Sequence, residues 1–138
     1  MKILLVEDSP SDALFATRAL KMHSPDSDVF HVKDGVEAMD FLNQRSNWSD
    51  AARPDLILLD LNLPRMNGHE VLREIKSDHA LRRIPVVVLT TSYREPDIFA
   101  AYDSHTNAYL VKPVDLSDFD RIVKVLTDFW VGANRLPA

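Results

Sequence analysis

The sequence lacks cysteine altogether, which excludes a disulfide framework and a zinc site with thiolate ligands. It has only three glycines, too few and too scattered for a P-loop or a GxGxxG dinucleotide-binding loop. It also lacks a long apolar run, because the first one, at residues 3–6, ends at Glu7 and Asp8. We therefore expect a cytoplasmic protein that has no membrane partner and is not a nucleotide-binding Rossmann enzyme.

Positive charge is scarce as well. The chain has 16 Lys and Arg against 21 Asp and Glu, which gives a formal net charge of −5, and its basic residues are scattered. Because affinity for nucleic acid depends on neutralising phosphates with Lys and Arg, we expect no nucleic-acid partner. The five histidines have no spacing typical of metal ligands, so we predict no histidine metal site.

The length sets the domain organisation. A chain of 138 residues fits one domain, here residues 1–138, and is too short for a receptor joined to an effector. We therefore expect a single domain that acts through partners.

The stretch from Asp55 to Pro64 contains the first candidate for a reactive group. Residues 56–59 are four consecutive apolar residues that lead directly into Asp60, a pattern typical of a parallel strand buried on both faces. Reactive groups in open α/β sheets lie at the carboxyl ends of the strands. Asp60 is therefore either a functional carboxylate or a cap of the next helix, and this stretch alone does not distinguish the two.

The rest of the chain repeats this alternation of strand and helix. Apolar runs predict five strands, at residues 3–6, 29–32, 56–59, 86–90 and 107–111. Helices are predicted between them, the last one at about residues 116–130, with a short tail at 131–138. This order indicates an α/β fold with a doubly wound, five-stranded parallel sheet.

Two connecting segments carry more specific predictions. The first helix, which follows Ser9 and Pro10, is predicted to bury Ala13, Leu14, Thr17 and Leu20. Residues 43–54 are polar and aperiodic, so we predict a long surface loop that carries Trp48.

Polar side chains follow four of the predicted strands: Glu7 and Asp8, Asp60, Thr90, and Lys112. In a parallel sheet they would meet at one edge, where two carboxylates 4 Å apart repel by about 4 kcal/mol at an effective dielectric of about 20. Mg²⁺ offsets such repulsion with oxygen ligands alone. A carboxylate beside Mg²⁺, a lysine and a hydroxyl is equipped for phosphoryl transfer, with Asp60 as the nucleophile.

Four motifs follow one another along nearly the whole chain: VEDS, LLDLNLPRMNG, VVVLTTS and AYLVKP. With these motifs the chain resembles a response-regulator receiver domain, whose fold is the flavodoxin-like or CheY-like (βα)5 sheet. The resemblance implies that Asp60 accepts a phosphoryl group from the phosphohistidine of a sensor histidine kinase. It also implies that Asp8, Asp60 and the backbone carbonyl of Asn62 bind Mg²⁺, and that Glu7 holds a metal-bound water.

The resemblance further implies a switch. Thr90 and Lys112 would grip the phosphoryl oxygens, and Tyr109 would rotate inward when Thr90 moves. Ser92 and Asn62, each two residues beyond a site residue, would tune the rate of dephosphorylation. The bond between Lys112 and Pro113 would be cis, as is typical of the family. Such a protein is a phosphoacceptor with Mg²⁺-dependent self-phosphotransfer and autodephosphorylation and not an enzyme in the usual sense.

A closer resemblance rests on RRIPVVVLTTS, the long loop before Pro54 and the tail residues Phe129, Trp130, Val131 and Leu136. These features are similar to the stand-alone regulators of bacterial and cyanobacterial phytochromes, which implies a phytochrome as kinase. It also implies a homodimer through the faces of the fourth and fifth helices, with the tail cluster contributing. Alternatively, Phe129 and Trp130 close the bottom of the monomer core.

Three other function classes fit the sequence less well. A phosphohistidine carrier would be a helical bundle, whereas this chain alternates strands and helices. A haloacid-dehalogenase-type phosphatase needs a second Asp two residues after the nucleophile, where this chain has Asn62. A pseudo-receiver that binds partners without phosphorylation is the remaining alternative, and the full set of Asp8, Asp60, Thr90 and Lys112 disfavours it.

Overall fold

The computed structural model describes residues 1–137, which form one parallel sheet between two layers of helices. The strands are β1 (Lys2–Val6), β2 (Asp28–Val32), β3 (Leu56–Leu59), β4 (Val86–Thr90) and β5 (Ala108–Val111), in the spatial order β2-β1-β3-β4-β5. All neighbouring pairs are parallel. The predicted α/β fold is confirmed, and its strand order reverses between β1 and β3, where such sheets place their ligands.

Five α-helices connect or follow the strands: α1 (Pro10–His23), α2 (Gly35–Leu42), α3 (Gly68–Ser77), α4 (Glu95–Asp103) and α5 (Leu116–Thr127). Four of them begin at a residue whose side chain accepts a hydrogen bond from an amide of the first turn. These caps are Ser9, Asp34, Asn67 and Asp115. Within residues 1–137, no helix has the length and apolar character needed to cross a bilayer.

The central strands are buried on both faces, which explains their unbroken apolar sequences. Alternate residues point to opposite layers, so that Ile57 and Leu59 pack in the cluster that includes residues of α2 and α3, whereas Leu56 and Leu58 pack in the cluster that includes residues of α1 and α5. The central apolar run thus supplies both halves of the core.

Two details differ from the sequence prediction. Leu14 is not buried but 47% exposed, because α1 packs on the sheet with its alanines, Ala13, Ala16 and Ala19, together with Leu20. The loop before β3 contains a short 3₁₀ turn, Ser46–Trp48. Its Trp48 is half-buried against the core, with its ring centroid 5.0 Å from that of Phe41. This loop is therefore anchored by an aromatic contact.

The turn after β3 folds back against the strand end. The amide of Gly68 donates to the carbonyl of Leu61 at 2.9 Å. A Cβ atom at Gly68 would lie 2.2 Å from the carbonyl oxygen of Asp60, which no other residue type could accommodate without a shift of the backbone. Gly68 therefore allows α3 to begin directly against the backbone of Asp60.

The C-terminal region departs from the predicted helix end. After Thr127 the backbone continues in wider, π-type turns, Asp128–Ala133, which extend beyond the predicted end at residue 130. These turns accompany the packing of Trp130 against the core on the side of α1 and α5, a tertiary contact that helical periodicity does not encode. Residues 134–137 then run past the amino ends of β3 and β4, where Leu136 lines a groove with Arg53 and Arg83.

Candidate functional site

Three carboxylates meet at the carboxyl edge of the sheet. Ligand atoms of Glu7, Asp8 and Asp60 all lie within 4.8 Å of one another, and Glu7 and Asp60 are buried while Asp8 is exposed. The amide of Asp60 donates to the carbonyl of Val6 at 3.1 Å, which fixes the end of β3 beside that of β1. This all-oxygen donor set, open to solvent at Asp8, fits a hard divalent cation that keeps some of its water.

Lys112 lies among these carboxylates. Its ammonium group contacts Glu7 Oε1, lies 3.0 Å from Asp60 Oδ2 and 3.1 Å from Asp12 Oδ2, and its side chain is only 6% exposed. The lysine is positioned by the end of β5, where its amide donates to the carbonyl of Thr90 at 2.7 Å.

The peptide bond between Lys112 and Pro113 is trans, so the prediction of a cis bond is wrong. The two isomers of such a bond differ by only about 0.5–1 kcal/mol, so sequence alone does not select one.

The charged groups of this cluster shift one another's pKa values. Burial raises the pKa of Glu7 to about 7, assisted by the charge of Asp60 and opposed by the hydrogen bond and charge of Lys112. Burial alone would lower the pKa of Lys112, but the hydrogen bond to Glu7 and the charges of Asp60 and Glu7 raise it above its ordinary value. Lys112 is therefore a permanent cation, whereas Glu7 exchanges a proton near neutral pH.

Thr90 and Tyr109 are joined through Ser92. Thr90 is fully buried at the end of β4, and its Oγ1 accepts a hydrogen bond from the amide of Ser92 at 3.5 Å. The hydroxyl of Tyr109 donates to the carbonyl of Ser92 at 2.9 Å, and burial raises the pKa of this phenol so that it stays a donor. The two predicted switch residues thus contact the same residue, Ser92, in the loop between β4 and α4.

The same loop is held from two helices by residues that sequence reasoning missed. Ser92 Oγ donates to Asp97 Oδ2 on α4 at 2.5 Å, and Asp97 Oδ1 lies 3.2 Å from Nε2 of His69 on α3. These hydrogen bonds, from Ser92 first and from His69, lower the pKa of Asp97, which is therefore a carboxylate. His69 lies 28 positions before Asp97, and no sequence motif links it to Ser92 and Asp97.

Comparison with known proteins identifies the domain. Residues 3–124 match the family model of the response regulator receiver domain. The chain belongs to this family. Receiver domains respond to histidine kinases, so this receiver domain is a component of two-component signalling and not a classical enzyme.

This receiver domain is similar to another response regulator over nearly its whole length. It is 47% identical over 136 residues to response regulator Rcp1 of Synechocystis sp., a match that covers 99% of this chain and 92% of Rcp1. The structure of the Mn²⁺-bound form of Rcp1 superposes with a TM-score of 0.94, at 47% identity and 99% coverage of both chains.

Two further solved structures extend this likeness. The phosphorylated cyanobacterial phytochrome response regulator RcpA gives a TM-score of 0.95 at 50% identity, with coverage of 99% of this chain and 98% of RcpA. The bacteriophytochrome response regulator RtBRR gives 0.78 at 40% identity, with coverage of 99% and 83%. The receiver domain is thus homologous to the response regulators of phytochromes.

The remaining predicted residues are divided between the two ends of the receiver domain. Asn62 lies beside the acidic site, where its amide donates to Asp60 Oδ1 at 3.2 Å and its side chain is exposed. The tail residues do not reach this site. Phe129 packs edge-on against Trp130, with ring centroids 5.1 Å apart, and both follow α5.

Asp12, whose carboxylate contacts Lys112, is a further residue of the site that was not predicted from the sequence. Its position four residues after Asp8, in the first turn of α1, was the available signal. An acid at that place is normally assigned to helix capping or to the helix dipole, which hides a contact with a residue 100 positions away.

We expect the affinity of the acidic site for Mn²⁺ or Mg²⁺ to rise between pH 6 and pH 8. Metal and proton compete for the site, and the pKa of Glu7 is about 7, so affinity should rise by up to about tenfold per pH unit below that value and level off above it. Calorimetric titration of Mn²⁺ at several pH values measures this profile.

The matched variant for this experiment is Glu7→Gln, which keeps the shape of the side chain but cannot titrate. Its affinity should be lower at pH 8 and nearly independent of pH between 6 and 8. A slope as steep as that of the wild type would assign the titration to another group.

Proposed function

We propose that the receiver domain, residues 1–138, is a cytoplasmic phosphorylation switch in which Asp60 accepts a phosphoryl group from the phosphohistidine of a sensor histidine kinase. The observation that carries this proposal is the position of Asp60. Its buried carboxylate ends the central strand, with Oδ2 lying 3.0 Å from Lys112 Nζ, beside the carboxylates of Glu7 and Asp8. The proximity of these groups supports a nucleophile, a fixed cation and a metal site acting together on one phosphoryl group.

In the proposed reaction a carboxylate oxygen of Asp60 attacks phosphorus, the P–N bond to the kinase imidazole breaks, and the imidazole leaves with the electron pair of that bond. Lys112 stays protonated and donates to the transferred phosphoryl oxygens. Mg²⁺, held by Asp8, Asp60 and the backbone carbonyl of Asn62, with Glu7 bound through water, would neutralise charge on the phosphoryl group. Small phosphodonors would react in the same way, and attack of water on phosphorus would return Asp60 to its carboxylate.

The proposed switch uses the loop between β4 and α4. A phosphoryl group on Asp60 offers the hydroxyl of Thr90 a charged acceptor. The weak contact that Thr90 Oγ1 accepts from the amide of Ser92, at 3.5 Å, is easily broken when Thr90 moves toward it. Tyr109 is already bonded to the carbonyl of Ser92, so movement of this loop is passed to β5. A ligand shifts two conformations only through a difference in affinity, which the new phosphoryl contacts supply.

Incubation with acetyl phosphate and Mg²⁺, followed by intact mass measurement, tests the proposal. We expect one adduct of the mass of a single phosphoryl group, and its gradual loss after the donor is removed. If neither small donors nor a phosphorylated kinase produces an adduct, the chain is a pseudo-receiver that works by binding alone.

We further propose that the kinase is a phytochrome, supported by the likeness to Rcp1, RcpA and RtBRR. An autophosphorylated phytochrome should transfer its phosphate to this receiver domain within seconds to minutes. A kinase from an unrelated sensor serves as the comparison, and equal transfer from both would remove the preference for phytochrome.

A homodimer is proposed from exposed apolar residues on the last two helices. Phe99 and Tyr102 on α4 are exposed. Val125 on α5 and Phe129 are exposed as well, and these two residues stand four positions apart. Trp130 is packed against the core instead, so the monomer-core alternative describes Trp130 better than Phe129. Phe129 is therefore the tail residue best placed for self-association.

Phe129→Ser should weaken this self-association at least fivefold, because it removes an apolar ring that is 52% exposed in the single chain. Sedimentation equilibrium, with and without acetyl phosphate, measures the effect. Val114→Ser is the control, since Val114 is exposed but lies between β5 and α5. Equal weakening by both variants, or by neither, would contradict a role of Phe129 in the dimer.

A further inference from the structure

Asp12 is a fourth carboxylate at the acidic site, and the receiver-domain motifs do not account for it. Its Oδ2 lies 3.1 Å from Lys112 Nζ, and its side chain is 40% exposed. It is not among the three residues whose ligand atoms cluster for a metal, which are Glu7, Asp8 and Asp60. Asp12 therefore faces the lysine from outside the predicted metal site.

The structure excludes a capping-box role for Asp12. Ser9 caps α1 and accepts from the amide of Asp12, so a reciprocal capping box would have the carboxylate of Asp12 accept from the amide of Ser9. That amide donates to Glu7 Oε2 instead, at 3.1 Å. The carboxylate of Asp12 is thus left to bind Lys112.

All hydrogen-bond donors of the Lys112 ammonium group already have an acceptor. An ammonium group has three N–H donors, and those of Lys112 face Glu7, Asp12 and Asp60. Phosphorylation of Asp60 can itself free the N–H that faces Asp60 Oδ2. A second hydrogen bond from this lysine to the phosphoryl group then requires release of Glu7 or Asp12.

Asp12 is the acceptor that can be released at least cost. Of the two remaining acceptors, Glu7 is 4% exposed, whereas the carboxylate of Asp12 can be solvated. It borders a cavity of about 240 Å³ between α1 and the segment after β5, lined also by Thr91 and Pro113. Water can therefore replace Lys112 as its partner.

We propose that Asp12 is a positioning residue that holds the Lys112 ammonium in the unphosphorylated receiver domain and yields it to the phosphoryl group on Asp60. The contact opposes phosphorylation, since it must be broken for the phosphoryl group to gain a second hydrogen bond from Lys112. This inference rests on the proposed function, because it requires Asp60 to carry the phosphoryl group.

Beryllofluoride, formed from beryllium chloride and excess fluoride in the presence of Mg²⁺, is the probe because it binds an acceptor aspartate without turnover. We expect Asp12→Asn to bind it about twofold to fivefold more tightly than the wild type, the range that a partly exposed ion pair contributes. Asp12→Glu, which keeps the carboxylate, should restore an affinity close to that of the wild type.

Glu37→Gln is the matched control, because it removes one negative charge from the first turn of α2 without a contact to Lys112. It should leave the affinity unchanged. The ¹⁵N resonance of the Lys112 side chain provides a second readout: it should shift in unliganded Asp12→Asn and not in Glu37→Gln. A role of Asp12 only in helix stability would change unfolding but neither of these signals.

The possible failures are distinguishable. If the wild type binds no beryllofluoride, the proposed acceptor site fails and this inference falls with it. If the wild type binds and Asp12→Asn has the same affinity, only the role of Asp12 is overturned. An equal gain in Asp12→Asn and Glu37→Gln would also overturn it, because the effect would then be a general change in charge.

Discussion

Asp60→Asn is expected to abolish phosphorylation by acetyl phosphate, with no adduct detectable by intact mass. Asparagine has nearly the same shape but lacks the carboxylate oxygen that attacks phosphorus, so the loss is chemical and not structural. The fold should remain, because Lys112 keeps Glu7 and Asp12 as partners. The loss of the Asp60 charge should also bring the pKa of Glu7 closer to its ordinary value.

Asp55→Asn is the matched control for this experiment. Asp55 stands just before β3, at the opposite edge of the sheet from Asp60, and its Oδ2 accepts from the amide of Lys2 at 2.8 Å. This variant should be labelled as the wild type is. Labelling that persists in Asp60→Asn would place the acceptor on another residue and remove the central proposal.

Lys112→Ala is expected to lower the free energy of unfolding by about 3 kcal/mol or more at pH 8 in the presence of EDTA. Removal of one partner of a buried ion pair typically costs about 3–5 kcal/mol, because an uncompensated charge stays behind. Here the buried carboxylates of Glu7 and Asp60 would both lose their cation. Urea unfolding of the wild type and the variant measures the difference.

The loss in Lys112→Ala should be smaller at pH 5.5 than at pH 8. The pKa of Glu7 is already raised to about 7 in the folded state, and without the opposing effect of Lys112 it would rise further. The folded state then holds a proton that the unfolded state releases, so stability present at low pH is lost as pH rises through this value.

Lys124→Ala provides the comparison, since Lys124 pairs with Asp128 on the surface at 2.8 Å and should contribute less than about 1 kcal/mol. A similar loss in both lysine variants, or a loss independent of pH, would contradict the buried role of Lys112.

The same Lys112→Ala variant should separate phosphorylation from response. If it is still labelled, its phosphorylated form should show the same sedimentation as its unphosphorylated form, because the phosphoryl group has lost the lysine that binds it. A wild-type response in the labelled variant would show that Thr90 alone supplies the bias between conformations.

The residues of the acidic site were predictable because of a simple geometric rule. In a parallel sheet every strand ends at the same edge, so residues that directly follow apolar runs converge there. Asp60 and Lys112 could thus be placed together although they are 52 positions apart. The side chains that come from helices, such as Asp12, follow no such rule.

The contacts around the loop between β4 and α4 were not predictable for a related reason. Ser92, Asp97 and His69 meet only because the packing of α3 and α4 brings two helix starts beside one loop. Each residue alone is an ordinary polar residue of a helix or loop. Likewise, the outward position of Leu14 depends on which face of α1 the sheet accepts, since small alanines permit the closer approach.

Local sequence patterns specified the order of strands and helices, the parallel sheet and the edge at which the acidic site lies. These properties depend on local periodicity and on the end of each apolar run, which are written in consecutive residues. Tertiary structure alone decided the trans bond before Pro113, the path of the chain after Thr127 and the pairing of Lys112 with Asp12. Those features depend on small free-energy differences between alternatives that only contacts between distant segments can resolve.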